Sequence, residues 1–164
     1  MRRAEPSFLI HLGGTGIVAD WQDPTYLGQL NPKVWSDIDD IDAITSLPEQ
    51  ALHRDVDKII QDAAAKYEEK LMTAIICPPD IYGPGRGLGN MRNVYIPVFY
   101  DEIKKVGAAF YVGEGKNTRS SVHIEDVMTV YLKLVEAAVA GGAGADWGKE
   151  VRLPFAEIVP LKLL

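Results

Sequence analysis

One cysteine, Cys77, stands among the 164 residues, so the chain cannot close a disulfide on itself. Structural disulfides belong to oxidising compartments, and a lone thiol points to a reducing, cytoplasmic setting. No His/Cys cluster has zinc-ligand spacing. The acidic run SDIDDID (36–42) lacks the glycine and terminal glutamate of a calcium loop, so no metal site is expected. A basic excess is also missing. The net charge of -6 argues against nucleic acid as a partner, because non-specific binding needs a cationic face. No run approaches the roughly 20 apolar residues of a membrane span. The opening MRRAEPSF carries two arginines but no apolar stretch before a cleavage site, and is not read as a signal peptide.

The apolar share of 47% is enough to build a core, and 164 residues suit one domain. Residues 8–12 form a short apolar run, a candidate buried strand. Residues 20–48, with Pro24, Gly28, Pro32 and Pro48, read as a long irregular connection. Ser46 and Glu49 have capping-box spacing, with Pro48 in the first turn. Leu52, Val56, Ile59/Ile60 and Ala63 recur at helical spacing, so a helix is predicted over 49–68. LMTAIICPP (71–79) is a continuous apolar run stopped by two prolines, which favours a strand buried on both faces. A second helix is predicted over 93–106, ending at Gly107. AFYVGEG reads as a strand and TRSSVHI as a short extended piece. Val127, Val130, Tyr131, Leu134, Val135 and Ala138 share one face of a third helix, 125–140, with Glu125 and Asp126 at its positive end. Strands alternating with helices indicate α/β with a mainly parallel sheet. Only about three core strands are visible, fewer than a doubly wound sheet holds.

Gly13-Gly14-Thr15-Gly16 follows the first strand, and Ala19 completes a G-x-x-G-x-x-A spacing. A pyrophosphate loop needs a helix opening at those glycines, because the helix N-terminus supplies the free N–H groups. Pro24 falls where the second turn belongs, and Gly28 and Pro32 follow. No amphipathic helix can be drawn there, and residues 17–24 are expected to hold no more than one helical turn.

Two later segments are more specific. CPPDIYGPGRG (77–87) and GEGKNTRSSVHIEDV (113–127) stand in order, about 35 residues apart. The first resembles the RP-x-x-YGPG strand end and loop of the extended short-chain dehydrogenase/reductase (NAD-dependent epimerase/dehydratase) family. The second resembles that family's G-x-G-x-x-x-R-x-x-[VI]-x-V-x-D-V segment. The resemblance covers about residues 8–140, with 141–164 as a C-terminal tail. It implies a partial, doubly wound, Rossmann-like sheet over 1–164, lacking the N-terminal half that carries the dinucleotide fingerprint. FLIHLGGTGIV then becomes the strand that ends at the family's catalytic hydroxyl.

The resemblance also assigns residues. Gly14 aligns with the catalytic hydroxyl position, and Thr15 is its neighbour. His53 aligns with the tyrosine of Tyr-x-x-x-Lys, and Asp57 with the lysine. Lys58 is one residue late and about 100° around the helix. The chemistry needs a proton donor near neutral pH, which an imidazole can supply. The catalytic candidates are therefore Thr15 and His53. Cys77, Pro78, Pro79, Ile81 and Tyr82 are the implied nicotinamide-side cofactor contacts, and Tyr82, Gly83 and Arg119 the implied substrate contacts. Read from composition alone, Thr15 is a turn residue, Arg119 a surface cation and Cys77 an inert core thiol.

Two function classes stay open at this point. One is an NAD(P)-dependent oxidoreductase or epimerase-type protein with NAD or NADP and a small-molecule substrate. The other is a degenerate, non-catalytic binding or interaction module of the same fold. A self-contained dinucleotide binder using GGTGIVA is a third reading. A sheet without its first half exposes edges, so a homo-oligomer or partner chain is expected.

Overall fold

A computed structural model describes residues 5–89 and 91–148. The predicted tail beyond residue 148 lies outside the described residues. Two parallel strand pairs and four helices organise the rest. Strand β1 (Ser7–Leu12) pairs with β2 (Leu71–Ile76) in parallel, from Ser7 opposite Leu71 to Leu12 opposite Ile76. The pair brackets helices α1 (Ile41–Thr45) and α2 (Arg54–Tyr67), a βαβ crossover. The two apolar runs FLIHL and MTAIIC are thus neighbours, as the sequence pattern requires. β2 stops at Ile76 rather than 79, since Pro78 and Pro79 have no N–H for a ladder. Strand β3 (Asp80–Tyr82) then pairs in parallel with β4 (Ser121–His123). Between them lies α3 (Tyr95–Val106), closed by Gly107 at φ 77° as the sequence predicts. Helix α4 (Ile124–Val139) follows β4 directly.

The core lies between the β1–β2 pair, α2 and the connection before it. Ile44, Ile60, Ile75 and Cys77 form its buried cluster, with Val18, Trp35 and Ile41 packed against it. Burying an isoleucine of this kind stabilises the fold by about 1.5–3 kcal/mol.

Four local expectations are corrected. Helix α2 begins at Arg54, not 49, because His53 sits in the left-handed region at φ 69° and ends any helical run from before it. The Ser46 hydroxyl does not form a capping box. It donates to Asp42 O at 2.7 Å and closes α1. The buried face of α2 is Arg54, Asp57, Ile60 and Ala64, while Leu52, Val56 and Ile59 face outward. The predicted strand at AFYVGEG is an irregular turn. Gly113 (φ 54°) and Gly115 (φ 65°) take left-handed backbone, and Gly115 N–H bonds Val112 O at 2.9 Å. This turn packs backbone on backbone against Gly28, where a Cβ would collide with the Val112 carbonyl.

Helix α4 runs as predicted, but its cap is His123 rather than Glu125 or Asp126. His123 Nδ1 accepts from Glu125 N–H at 3.3 Å, and the two acidic residues occupy the first turn. Among the described residues no helix is long and apolar enough to cross a membrane, and no group of His, Cys, Asp and Glu could hold a metal ion.

Candidate functional site

The turn after β1 extends the parallel ladder without being strand. Gly13 N–H donates to Ile76 O at 2.8 Å, and Thr15 N–H donates to Pro78 O at 3.2 Å. These bonds tie Gly13–Thr15 to the carboxyl end of β2. Thr15–Val18 is then one 3-10 turn, ended by Ala19 in extended backbone. No helix opens at Gly16, so the pyrophosphate-loop reading of GGTGIVA loses the N-terminus it requires.

A cleft of about 370 Å³ opens at the carboxyl ends of both strand pairs. Leu12 and Gly13 form one wall, Pro78 through Ile81 the floor, and Gly83, Gly85, Met91 through Tyr95 and Ile124 the rest. Asn93 shapes the far side. Its amide donates to Ile81 O, and its Oδ1 accepts from Ile96 N–H at 2.9 Å, capping the first turn of α3. Of the residues singled out by sequence, Pro78, Pro79, Ile81 and Gly83 line this cleft. Thr15, His53, Tyr82 and Arg119 are not among the lining residues.

His53 packs instead against Gly14 and Gly16, the glycines on either side of Thr15. A Cβ on Gly14 would lie 2.8 Å from His53 Nε2, and one on Gly16 would lie 3.4 Å from it. The imidazole therefore fills the space of the side chain that residue 14 lacks. Beneath it lies Asp57, with 2% of its surface exposed. Its Oδ1 has no hydrogen-bond partner. The nearest cation-forming group is His11 Nε2, 3.6 Å away. Burial pushes the Asp57 carboxyl above its ordinary range, opposed by the imidazoles of His11 and His53 and by Arg54. Cys77 is packed against the same turn, since a Cβ on Gly13 would lie 2.8 Å from its Sγ. Burial, then the Asp57 charge, pushes the Cys77 thiol up to about 12. Cys77 is thus a core thiol.

Tyr82 and Arg119 form a second group on the β3–β4 pair. Arg119 holds Asp80 through two of its three guanidinium nitrogens, Nε at 2.6 Å and Nη2 at 3.0 Å, and lies 3.6 Å above the Tyr95 ring. Tyr82 packs edge-on against His123, ring centres 5.2 Å apart. Gly83, at φ 102°, passes so close that a Cβ would lie 2.5 Å from His123 Nε2. Lys58 points away from all of this and pairs with Asp62 at 2.9 Å.

The model of the NAD dependent epimerase/dehydratase family matches residues 51–147. The chain belongs to that family. The matched span contains His53, Asp57, Cys77–Gly83 and Arg119, and begins after the Gly13–Gly16 turn. A curated relative, the oxidase ucsJ of Acremonium sp, is 31% identical over 148 residues. That alignment covers 88% of this chain and 42% of the relative, so the chain spans less than half of the relative's length. No solved structure matches the chain. Epimerase/dehydratase membership accords with the parallel strand pairs and implies a Rossmann-like α/β fold.

His11 is the functional candidate that sequence reasoning missed. Its only signal is a histidine inside the apolar run FLIHL.

Proposed function

We propose that this chain is the nicotinamide- and substrate-facing portion of an NAD(P)-dependent oxidoreductase or epimerase-type protein, with 1–164 as a single partial domain. The observation that carries this reading is the cleft at the carboxyl ends of two parallel strand pairs, where ligands of open α/β sheets bind. Its size suits one ring and a small substrate rather than a whole dinucleotide. Apolar Pro78, Pro79 and Ile81 can face a nicotinamide ring, with Cys77 and Tyr82 bounding that stretch. The described residues offer no helix N-terminus at the glycine turn for a pyrophosphate. When bound, NAD or NADP would supply hydride chemistry.

In this reading the substrate extends from the cleft past Gly13, which lines it, to the glycine turn, where His53 exchanges a proton with a substrate oxygen and the Thr15 hydroxyl hydrogen-bonds that oxygen. Tyr82, Gly83 and Arg119 orient the substrate. The setting is cytoplasmic, with no nucleic-acid or membrane partner. The apolar side chains that α3 leaves exposed, among them Ile96, Val98 and Phe99, favour a second copy or a partner chain.

A second reading, a non-catalytic module of the same fold, is favoured by two observations. A carboxylate, Asp57, occupies the position expected of an ammonium. Arg119 is already engaged by Asp80 and Tyr95. One experiment separates the readings. NADH and nicotinamide mononucleotide are titrated into ¹⁵N-labelled chain, and amide shifts are followed. Saturable shifts at Gly13, Ile81 and Gly83 support the cofactor reading. Shifts confined elsewhere, or none at millimolar ligand, refute it and favour the module.

A further inference from the structure

We propose that Asp57, His11 and His53 form a proton-exchange site around the Gly13–Gly14 turn, with Asp57 as the positioning carboxylate and His53 Nε2 as the atom that meets a substrate hydroxyl or carbonyl oxygen. The substrate part rests on the oxidoreductase reading above; the proton site itself does not.

Three features carry the inference. Asp57 presents a buried oxygen with no hydrogen-bond partner, and an orphaned acceptor of this kind is costly unless a nearby donor compensates it. His11 Nε2 stands 3.6 Å from that oxygen, within ion-pair range and slightly beyond a hydrogen bond. His53 Nε2 stands where a side chain on Gly14 would be, so one imidazole fills the place of a hydroxyl group. Exposure rises in steps across the three groups. Asp57 is buried, the His11 side chain is 28% exposed and His53 faces solvent. The three groups thus run from a dry carboxyl to an imidazole at the surface.

The step is proton transfer alone. The O–H bond of a bound alcohol breaks, an N–H bond forms at His53 Nε2, and the bonding pair stays on oxygen. His53 lies one helical turn before Asp57, whose backbone N–H bonds His53 O at 3.1 Å, so a charge gained by the ring lies near that carboxyl. The other groups facing Asp57 are Cys77 at the end of β2, and Arg54 and Asp55 on its own helix. Arg54 is occupied by Leu47 O, Thr45 O and the Gln61 side chain, so the imidazoles are its mobile proton partners.

The test is carboxyl ¹³C and imidazole ¹⁵N NMR on the full chain, across pH, for the parent, His11→Gln, His53→Gln and Asp57→Asn. Glutamine keeps an amide in place of the ring and suits these two partly or fully exposed positions. The Asp57 midpoint should move up in His11→Gln and, by less, in His53→Gln. The His11 ring should hold its proton on Nε2 in the parent and lose that tautomer bias in Asp57→Asn. An Asp57 midpoint unmoved by either glutamine, or a His11 tautomer indifferent to Asp57→Asn, overturns the proton site. Coupling intact beside a null NADH titration refutes the cofactor reading and leaves the proton site standing. Loss of coupling with normal NADH shifts does the reverse.

Discussion

Replacing Arg54 by Met removes the one buried cation of α2 while keeping most of its aliphatic volume. Arg54 is 6% exposed. Its Nε donates to Leu47 O at 2.9 Å, Nη2 to Thr45 O at 2.6 Å and Nη1 to Gln61 Oε1 at 2.7 Å. The guanidinium thus closes the carboxyl end of α1 and fixes the turn that leads into α2. A hydrogen bond to a charged group contributes about 1.5–3 kcal/mol, and the three are not additive. Two backbone carbonyls would be left without their donor, which is the larger part of the loss. No charge is left behind, and leaving buried neutral acceptors unsatisfied costs about 1–3 kcal/mol, which is the expected destabilisation. It is a large share of the roughly 5–15 kcal/mol that holds a domain together. Urea titration reads it as a lower midpoint at unchanged slope. Arg54→Lys should recover part of it, since an ammonium can reach one carbonyl but not fork to two. A loss below about 1 kcal/mol in Arg54→Met would refute the argument that this guanidinium holds α1 to α2.

Three further outcomes are expected. Cys77, buried and pushed up to about 12, should resist alkylation at pH 8 in the folded chain and react once urea unfolds it; equal rates in both states would contradict its burial. Asp57 is raised by burial, so the folded state binds more protons than the unfolded one in the window that starts at the ordinary carboxyl value of 3.8. Its contribution is full below that value and is lost as pH climbs through the folded midpoint, so Asp57→Asn should flatten this part of the stability–pH curve measured by denaturant titration. Gly14→Ser puts a Cβ 2.8 Å from His53 Nε2 and should swing the ring outward, seen as lost ring-to-Gly16 contacts in NMR, at a stability cost of about 1–3 kcal/mol or less because the ring is exposed.

The long elements were legible because their apolar patterns are local. β1 and β2 are continuous apolar runs, and α3 and α4 end or begin where glycine and acidic residues say they should. The start of α2 was not legible. It is set by Arg54 reaching back seven and nine residues to Leu47 O and Thr45 O, and by His53 accepting a left-handed backbone, neither of which leaves a periodic trace. The stripe Leu52–Val56–Ile59 is periodic, yet it faces outward. The face that packs is Arg54–Asp57–Ile60–Ala64, whose first two members are charged and so are invisible to a hydrophobic count. The strand expected at AFYVGEG failed for a related reason: its two glycines are used at positive φ to press a turn against Gly28.

The site followed the same division. The resemblance aligned Gly14 with the catalytic hydroxyl position and His53 with the tyrosine, and the His53 ring packs against that glycine. What the alignment could not supply is the consequence of changing both partners together. A phenol beside an ammonium works because the cation favours the anion of the phenol. Here the residue types are reversed, with an imidazole at the phenol's position and a buried carboxyl at the ammonium's. Each substitution taken singly would strand a charge: an imidazolium beside a lysine repels it, and a phenolate above an aspartate does the same. A glycine at position 14 leaves room for the ring, since a Cβ there would lie 2.8 Å from His53 Nε2. Under the proposed proton site, Gly14, His53 and Asp57 are one change of chemistry spread over three positions. His11, which no motif marks, places a second imidazole 3.6 Å from the buried carboxyl.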